Sequence, residues 1–173
     1  NHFIELQACN QSGQLWLTIH TGSRAMGPSI RDYHLRQTQK KSAGIKYLDL
    51  DSEQGKDYFQ DMQWAREYAN TNRMLILERC KNLFQQHFSV SITEEDMIHC
   101  DHNHIEKLTI VNQSLLVHRK GACSVNKGEQ AIIPGSMGSD SFHVVGKGNA
   151  DSLYSSSHGA GRCMSRQLAR NTI

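Results

Sequence analysis

Residues 51–88, DSEQGKDYFQDMQWAREYANTNRMLILERCKNLFQQHF, form the stretch on which the fold class turns. Tyr58, Met62, Ala65 and Ala69 recur at helical spacing, and Leu77, Cys80, Phe84 and Phe88 do so again. Asp51 or Ser52 has the short polar side chain that caps a helix start. The spacing predicts one long helix, or two with a break near Asn70 to Asn72. The apolar stripe is read as core packing and the charges between as a solvated face.

Outward from this stretch the pattern changes. Toward the start, Phe3 to Cys9 and Leu15 to His20 alternate apolar and polar residues, with Gln11-Ser12-Gly13 between them, and read as an antiparallel hairpin. "HTGSRAMG" closes the second strand, and Pro28 fits the first turn of a helix running toward Lys41. Beyond the helical stretch, Leu108 to His118, Gln130 to Ile133 and Ser141 to Val145 read as strands. They are joined by the turn-like "RKGA", "PGSMGSD" and "GKGNAD". Strands, then helices, then strands predict an α+β class.

The 173 residues are 38% hydrophobic and 21% charged, the balance of a globular chain near the size of one domain. No apolar run reaches the roughly 20 residues of a membrane span, and no targeting segment stands out. A net charge of +2 does not by itself argue for nucleic acid. The five cysteines (Cys9, Cys80, Cys100, Cys123 and Cys163) are scattered and form no Cys-x-x-Cys pair. That points away from a disulfide framework and toward a reducing, cytoplasmic setting. The chain opens at Asn1, already in strand-like sequence, and the expectation is a piece of something longer.

Ten histidines are many for this length, and several fall at element ends. His2 opens the first strand and His20 closes the second. "HCDHNH" places His99, Asp101, His102 and His104 after the helical region, and His158 begins "HGAGR". Neutral imidazole is the common ligand of borderline divalent metals, so ligands from strand and loop ends suit a site at a sheet edge. His34, His87, His118 and His143 sit inside elements and read as structural. "HTGSR", "RKGA", "PGSMGSDS" and "HGAGR" combine glycine with a hydroxyl or a cation, a composition that lets backbone N–H groups approach phosphate. None matches a P-loop or a dinucleotide fingerprint.

"NHFIEL", "HTGSR", "DHNH", "HRKGA", "IIPGSMGSDSF" and "SHGAGRCMSR", in that order from Asn1 to Arg166, together resemble the RtcB-type RNA ligases. The resemblance implies mixed sheets with a helical insertion over about residues 51–88, an active site at strand ends and loops, and a single partial catalytic domain over 1–173. It implies a GTP- and manganese-dependent ligase that joins RNA 3′-phosphate or 2′,3′-cyclic phosphate ends to 5′-hydroxyl ends, in transfer-RNA splicing or RNA repair.

By the same resemblance His158 would accept GMP as a phosphoramidate. His2, His20 and His102 would bind Mn²⁺, with two ions in the site. Asn1, Glu5, Asn103, Pro134, Gly135, Ser136, Met137, Ser141, Gly159, Ala160 and Gly161 would hold or admit the nucleotide. Arg24 would contact RNA phosphate. The family draws a further Asp and Cys from an upstream segment, and none of this chain's five cysteines inherits that role. The alternatives are a non-catalytic relative that binds nucleotide or RNA, and a metal-dependent phosphoesterase using the same histidines.

Overall fold

The computed structural model describes residues 2–136, 138–159, 164 and 166–172. The chain divides into two compact units, Asn1–Thr93 and Glu94–Ile173. Helices dominate the first and strands the second, which bears out the α+β class.

In the first unit, β1 (Phe3–Ala8) and β2 (Leu15–His20) pair antiparallel, with Phe3 opposite His20 and Ala8 opposite Leu15. Gly13 closes the turn with φ +71°, a conformation that glycine adopts without a Cβ penalty. Helix α1 (Met26–Gln37) follows and places Pro28 in its first turn. A two-residue hairpin, β3 (Lys41–Ser42) with β4 (Ile45–Lys46), leads to α2 (Glu53–Phe88).

Helix α2 runs 36 residues without a break, about 54 Å at 1.5 Å per residue. Ser52 is the cap: its Oγ accepts the Gly55 N–H at 3.1 Å. At the other end Ser89 turns left-handed (φ 54°), and the N–H groups of Ser89 and Val90 return to the carbonyls of Gln85 and Phe84. The predicted break near Asn70 to Asn72 does not occur. Asparagine costs a helix only about 0.7 kcal/mol, far less than proline, so three polar residues do not stop it. Ala65, Ala69 and Leu77 are buried as the stripe predicts, whereas Phe88 at the last turn is 67% exposed. His34 of α1 is buried between the helices, 2.8 Å from Asp61 and edge-on to Tyr33 and Tyr58.

In the second unit, β5 (Asn103–Ile110) and β6 (Gln113–Lys120) form the longest hairpin. The single strand expected over Leu108 to His118 is therefore two strand segments and a turn. Val111 and Asn112 both take positive φ (47° and 62°), a two-residue turn that matches strand twist. The sequence hides this turn because valine reads as strand. Then β7 (Ala122–Ser124) pairs with β10 (Ser155–Ser157), and β8 (Gln130–Ile133) with β9 (Phe142–Val145). A short α3 (Arg166–Thr172) is the last described element. The core is small: Cys123, Val125 and Ala131, with Cys100 and Val144 packed against them. Among the described residues every ladder is a separate antiparallel pair, where the resemblance leads to mixed sheets.

Candidate active site

The second unit brings two of the expected residues face to face. The imidazole rings of His102 and His158 stack with centroids 4.0 Å apart and planes 15° from parallel. Their nearest ring nitrogens lie within 4.8 Å of one another. One glycine organises both main chains. The Gly121 N–H donates to the His102 carbonyl at 2.7 Å, and the Gly121 carbonyl accepts the His158 N–H at 3.1 Å. Gly121 sits at the corner between β6 and β7 with φ +71°, which explains the residue type. The same N–H reaches the Asn103 Oδ1 at 3.2 Å, so Asn103 is tied into this corner.

His158 follows β10 directly, and β10 is registered on β7 with Ser157 opposite Ala122. Burial lowers the His158 pKa to about 4, the nearby His102 adds to that shift, and the Ile132 backbone opposes it. At neutral pH the ring is uncharged and keeps a nitrogen lone pair for a metal or an electrophilic phosphorus. Among the described residues, a Cβ built on Gly159 meets only the Pro134 carbonyl oxygen, at an ordinary contact distance of 3.7 Å, and Ser157 Oγ bonds both the N–H and the carbonyl of Gly159.

The loop between β8 and β9 is organised by its own serines. Ser141 Oγ accepts the Gly135 N–H at 3.0 Å, and Ser139 Oγ accepts the Ser136 N–H at 2.8 Å. A Cβ on Gly135 would lie 2.2 Å from the Asp140 carbonyl oxygen, so glycine is required here by the loop's closure on itself. Pro134 is half-buried, and Gly135 and Ser136 are exposed.

In the first unit, His20 ends β2 and stacks on Phe3, centroids 5.0 Å apart. His2 is exposed just before β1. Glu5 on β1 accepts the Gln7 side-chain N–H at 3.0 Å, and Gln7 in turn accepts from Thr18 at 2.9 Å. Arg24 is exposed, with a left-handed backbone (φ 60°). The "HTGSR" loop is held from α2: Asn72 Nδ2 donates to the Gly22 carbonyl at 3.4 Å, and Arg73 to the Thr21 carbonyl at 3.2 Å. Sequence reasoning missed both residues, having spent the asparagines on a helix break.

Asn1, Met137, Ala160 and Gly161 lie outside the described residues. His104 does not join His102 from "HCDHNH". It is 7% exposed on β5 and lies 3.2 Å from Arg119 Nη1.

Two imidazoles with ring nitrogens at this separation could share a divalent metal ion. No helix among the described residues is long and apolar enough to cross a membrane.

The family model described as tRNA-splicing ligase RtcB matches residues 1–173. The chain is 36% identical to the RNA-splicing ligase RtcB of Escherichia coli K12 over 184 residues, covering 98% of this chain and 45% of that protein. It is 33% identical to the tRNA-splicing ligase RtcB of Methanococcus maripaludis over 213 residues, covering 98% and 44%. It is 32% identical to the RNA-splicing ligase RtcB of Mycobacterium tuberculosis over 213 residues, covering 99% and 49%. The chain thus spans less than half the length of the curated relatives it matches. Motif order, the paired histidines at the Gly121 corner and the match along its whole length lead to one assignment: the chain belongs to the RtcB family.

Proposed function

We propose that this chain is part of an RNA ligase that uses GTP and manganese, with His158 as the residue that carries GMP. The observation that carries the reading is His158 itself: uncharged near neutral pH, held by its main chain and stacked on His102. The relatives named as RNA-splicing ligases support the reaction class.

In this reading a ring nitrogen of His158 attacks the α-phosphorus of GTP. A P–N bond forms, the bond to the bridging oxygen breaks, and pyrophosphate leaves. An oxygen of the RNA 3′-phosphate then displaces His158 from the guanylate. The 5′-hydroxyl attacks that activated phosphate, GMP leaves, and the hydroxyl proton passes to solvent. A 2′,3′-cyclic phosphate is first opened by water. Manganese, when bound, would neutralise phosphate charge and favour in-line displacement. His2, His20 and His102 would hold it, and two ions are expected. Asn1, Glu5, Asn103, the 134–141 loop and 159–161 would place the nucleotide. Arg24 would meet RNA phosphate.

Labelled GTP with Mn²⁺ tests this in the protein at its natural length. Label on the protein that is acid-labile and alkali-stable, and that disappears in His158→Ala, is expected. No label in the unaltered protein would overturn it. The closeness of the His102 and His158 nitrogens favours a second reading, a metal-dependent phosphoesterase in which both are ligands. That reading predicts phosphate-ester hydrolysis with no label on His158.

A further inference from the structure

We infer that Arg119 is the positioning residue that seats the strand leading to His158. The inference rests on the reading of His158 as the nucleotide acceptor. Arg119 stands on β6, and its side chain is only 1% exposed. Nothing in the six-motif resemblance gives it to metal, nucleotide or RNA. It forms an ion pair with Glu106 across the hairpin, and its Nη1 lies 3.2 Å from His104 Nε2.

The other contacts reach a different segment. Arg119 Nε donates to Ser155 Oγ at 3.0 Å, and Nη2 to the Leu153 carbonyl at 3.3 Å. Those two residues flank Tyr154, and Ser155 Oγ also donates to the Leu153 carbonyl at 3.0 Å. Leu153 and Tyr154 have φ 53° and 50°, two successive left-handed residues with side chains. Such conformations persist when their surroundings over-determine them. A guanidinium offers five N–H donors in a rigid fork, and here that fork grips both sides of the bend.

The bend opens directly into β10. Ser155 begins the strand, Ser157 ends it opposite Ala122, and His158 follows with its N–H on Gly121. Arg119 therefore fixes one end of a three-residue strand whose other end delivers His158 to His102. The pair with Glu106 is only half-buried, since the carboxylate is 35% exposed, and such an ion pair contributes little net stability. Its value here is geometric.

Carbethoxylation of the 173-residue chain by diethyl pyrocarbonate in chelator, mapped by peptide mass, measures the effect at His158. His143, exposed on β9 of the same unit, is the internal reference. In the unaltered chain His158, half-buried against His102, reacts more slowly than His143. Arg119→Met should raise the His158 to His143 rate ratio at least fivefold, and Arg119→Lys by less. A purely structural role would leave the ratio unchanged while the chain remains folded by circular dichroism, and that result overturns the inference. Should Arg119→Met unfold, Ser155→Ala decides, because it removes one of the two grips on the bend. A ratio raised twofold or more supports the inference, and an unchanged ratio overturns it. In the protein at natural length, Arg119→Lys should slow GMP transfer to His158 at saturating GTP without changing the half-saturating GTP concentration. If the unaltered protein takes no GMP, the ligase reading fails while the carbethoxylation result still judges Arg119.

Discussion

His102 and His158 stack 4.0 Å apart, and burial together with the neighbouring His102 disfavours the charged form of His158. The His158 pKa of about 4 lies below the usual 6.5, so between these values the unfolded chain binds a proton that the folded chain refuses. Stability should therefore fall as pH drops from about 6.5 to about 4, and the penalty should level off below that. Thermal unfolding in chelator across this range, compared with His158→Gln, checks it. The variant should show a shallower acid-side loss, and identical slopes would remove His158 as the cause.

Val111 occupies the first position of the β5–β6 turn with φ 47°. A β-branched residue is poorly suited there, and the left-handed region costs an ordinary side chain roughly 1–2 kcal/mol. Val111 is also 82% exposed, so its side chain contributes little packing. Val111→Asn should stabilise the protein by about 1 kcal/mol. Urea denaturation at constant m-value reads this directly.

Gly55 presents the opposite case. In an exposed helix, glycine to alanine gains about 1 kcal/mol. Here the new Cβ would lie 1.9 Å from the Asp49 carbonyl oxygen and 2.8 Å from Leu50 Cα, both backbone atoms. The segment entering α2 must shift, which also disturbs the Ser52 cap, worth about 1 kcal/mol. Gly55→Ala should lower the unfolding midpoint, and a raised midpoint would show that the entry segment yields freely.

Asn72 and Arg73 hold the loop after His20 from the middle of α2. Each such bond is worth about 1 kcal/mol net. Replacing both, as Asn72→Ala with Arg73→Met, should leave α2 helical yet speed amide exchange in residues 21–24 about tenfold or more. Exchange followed by mass spectrometry would expose an independent loop through unchanged rates.

Gly135→Ala is the sharpest probe of the 134–141 loop. Its Cβ would stand 2.2 Å from one backbone oxygen and 2.5 Å from another, so the loop must open. In the proposed reading nucleotide affinity should fall at least tenfold, measured by GTP titration of the protein at natural length. Retained affinity would place the nucleotide away from this loop.

Periodicity located the elements whose patterns are long, and failed where one residue contradicts its neighbours. The β1–β2 hairpin and the α2 stripe follow from spacing, because burial of one face repeats every two or about every 3.6 residues. Val111 hid a turn, and Asn70 to Asn72 imitated an end. The candidate histidines were legible as residues but not as partners. The backbone of Gly121 links His102 to His158, while His104, two residues away, faces Arg119 instead. Ring position depends on pairing between segments distant in sequence, which local pattern does not encode.

The Gly121 corner reaches both histidines through main-chain atoms alone. Those bonds survive any non-proline replacement of either ring, because the atoms that donate and accept belong to the backbone. A substitution at position 102 or 158 therefore removes an imidazole while leaving the corner's own hydrogen bonds in place, so such variants report on ring chemistry more than on chain path.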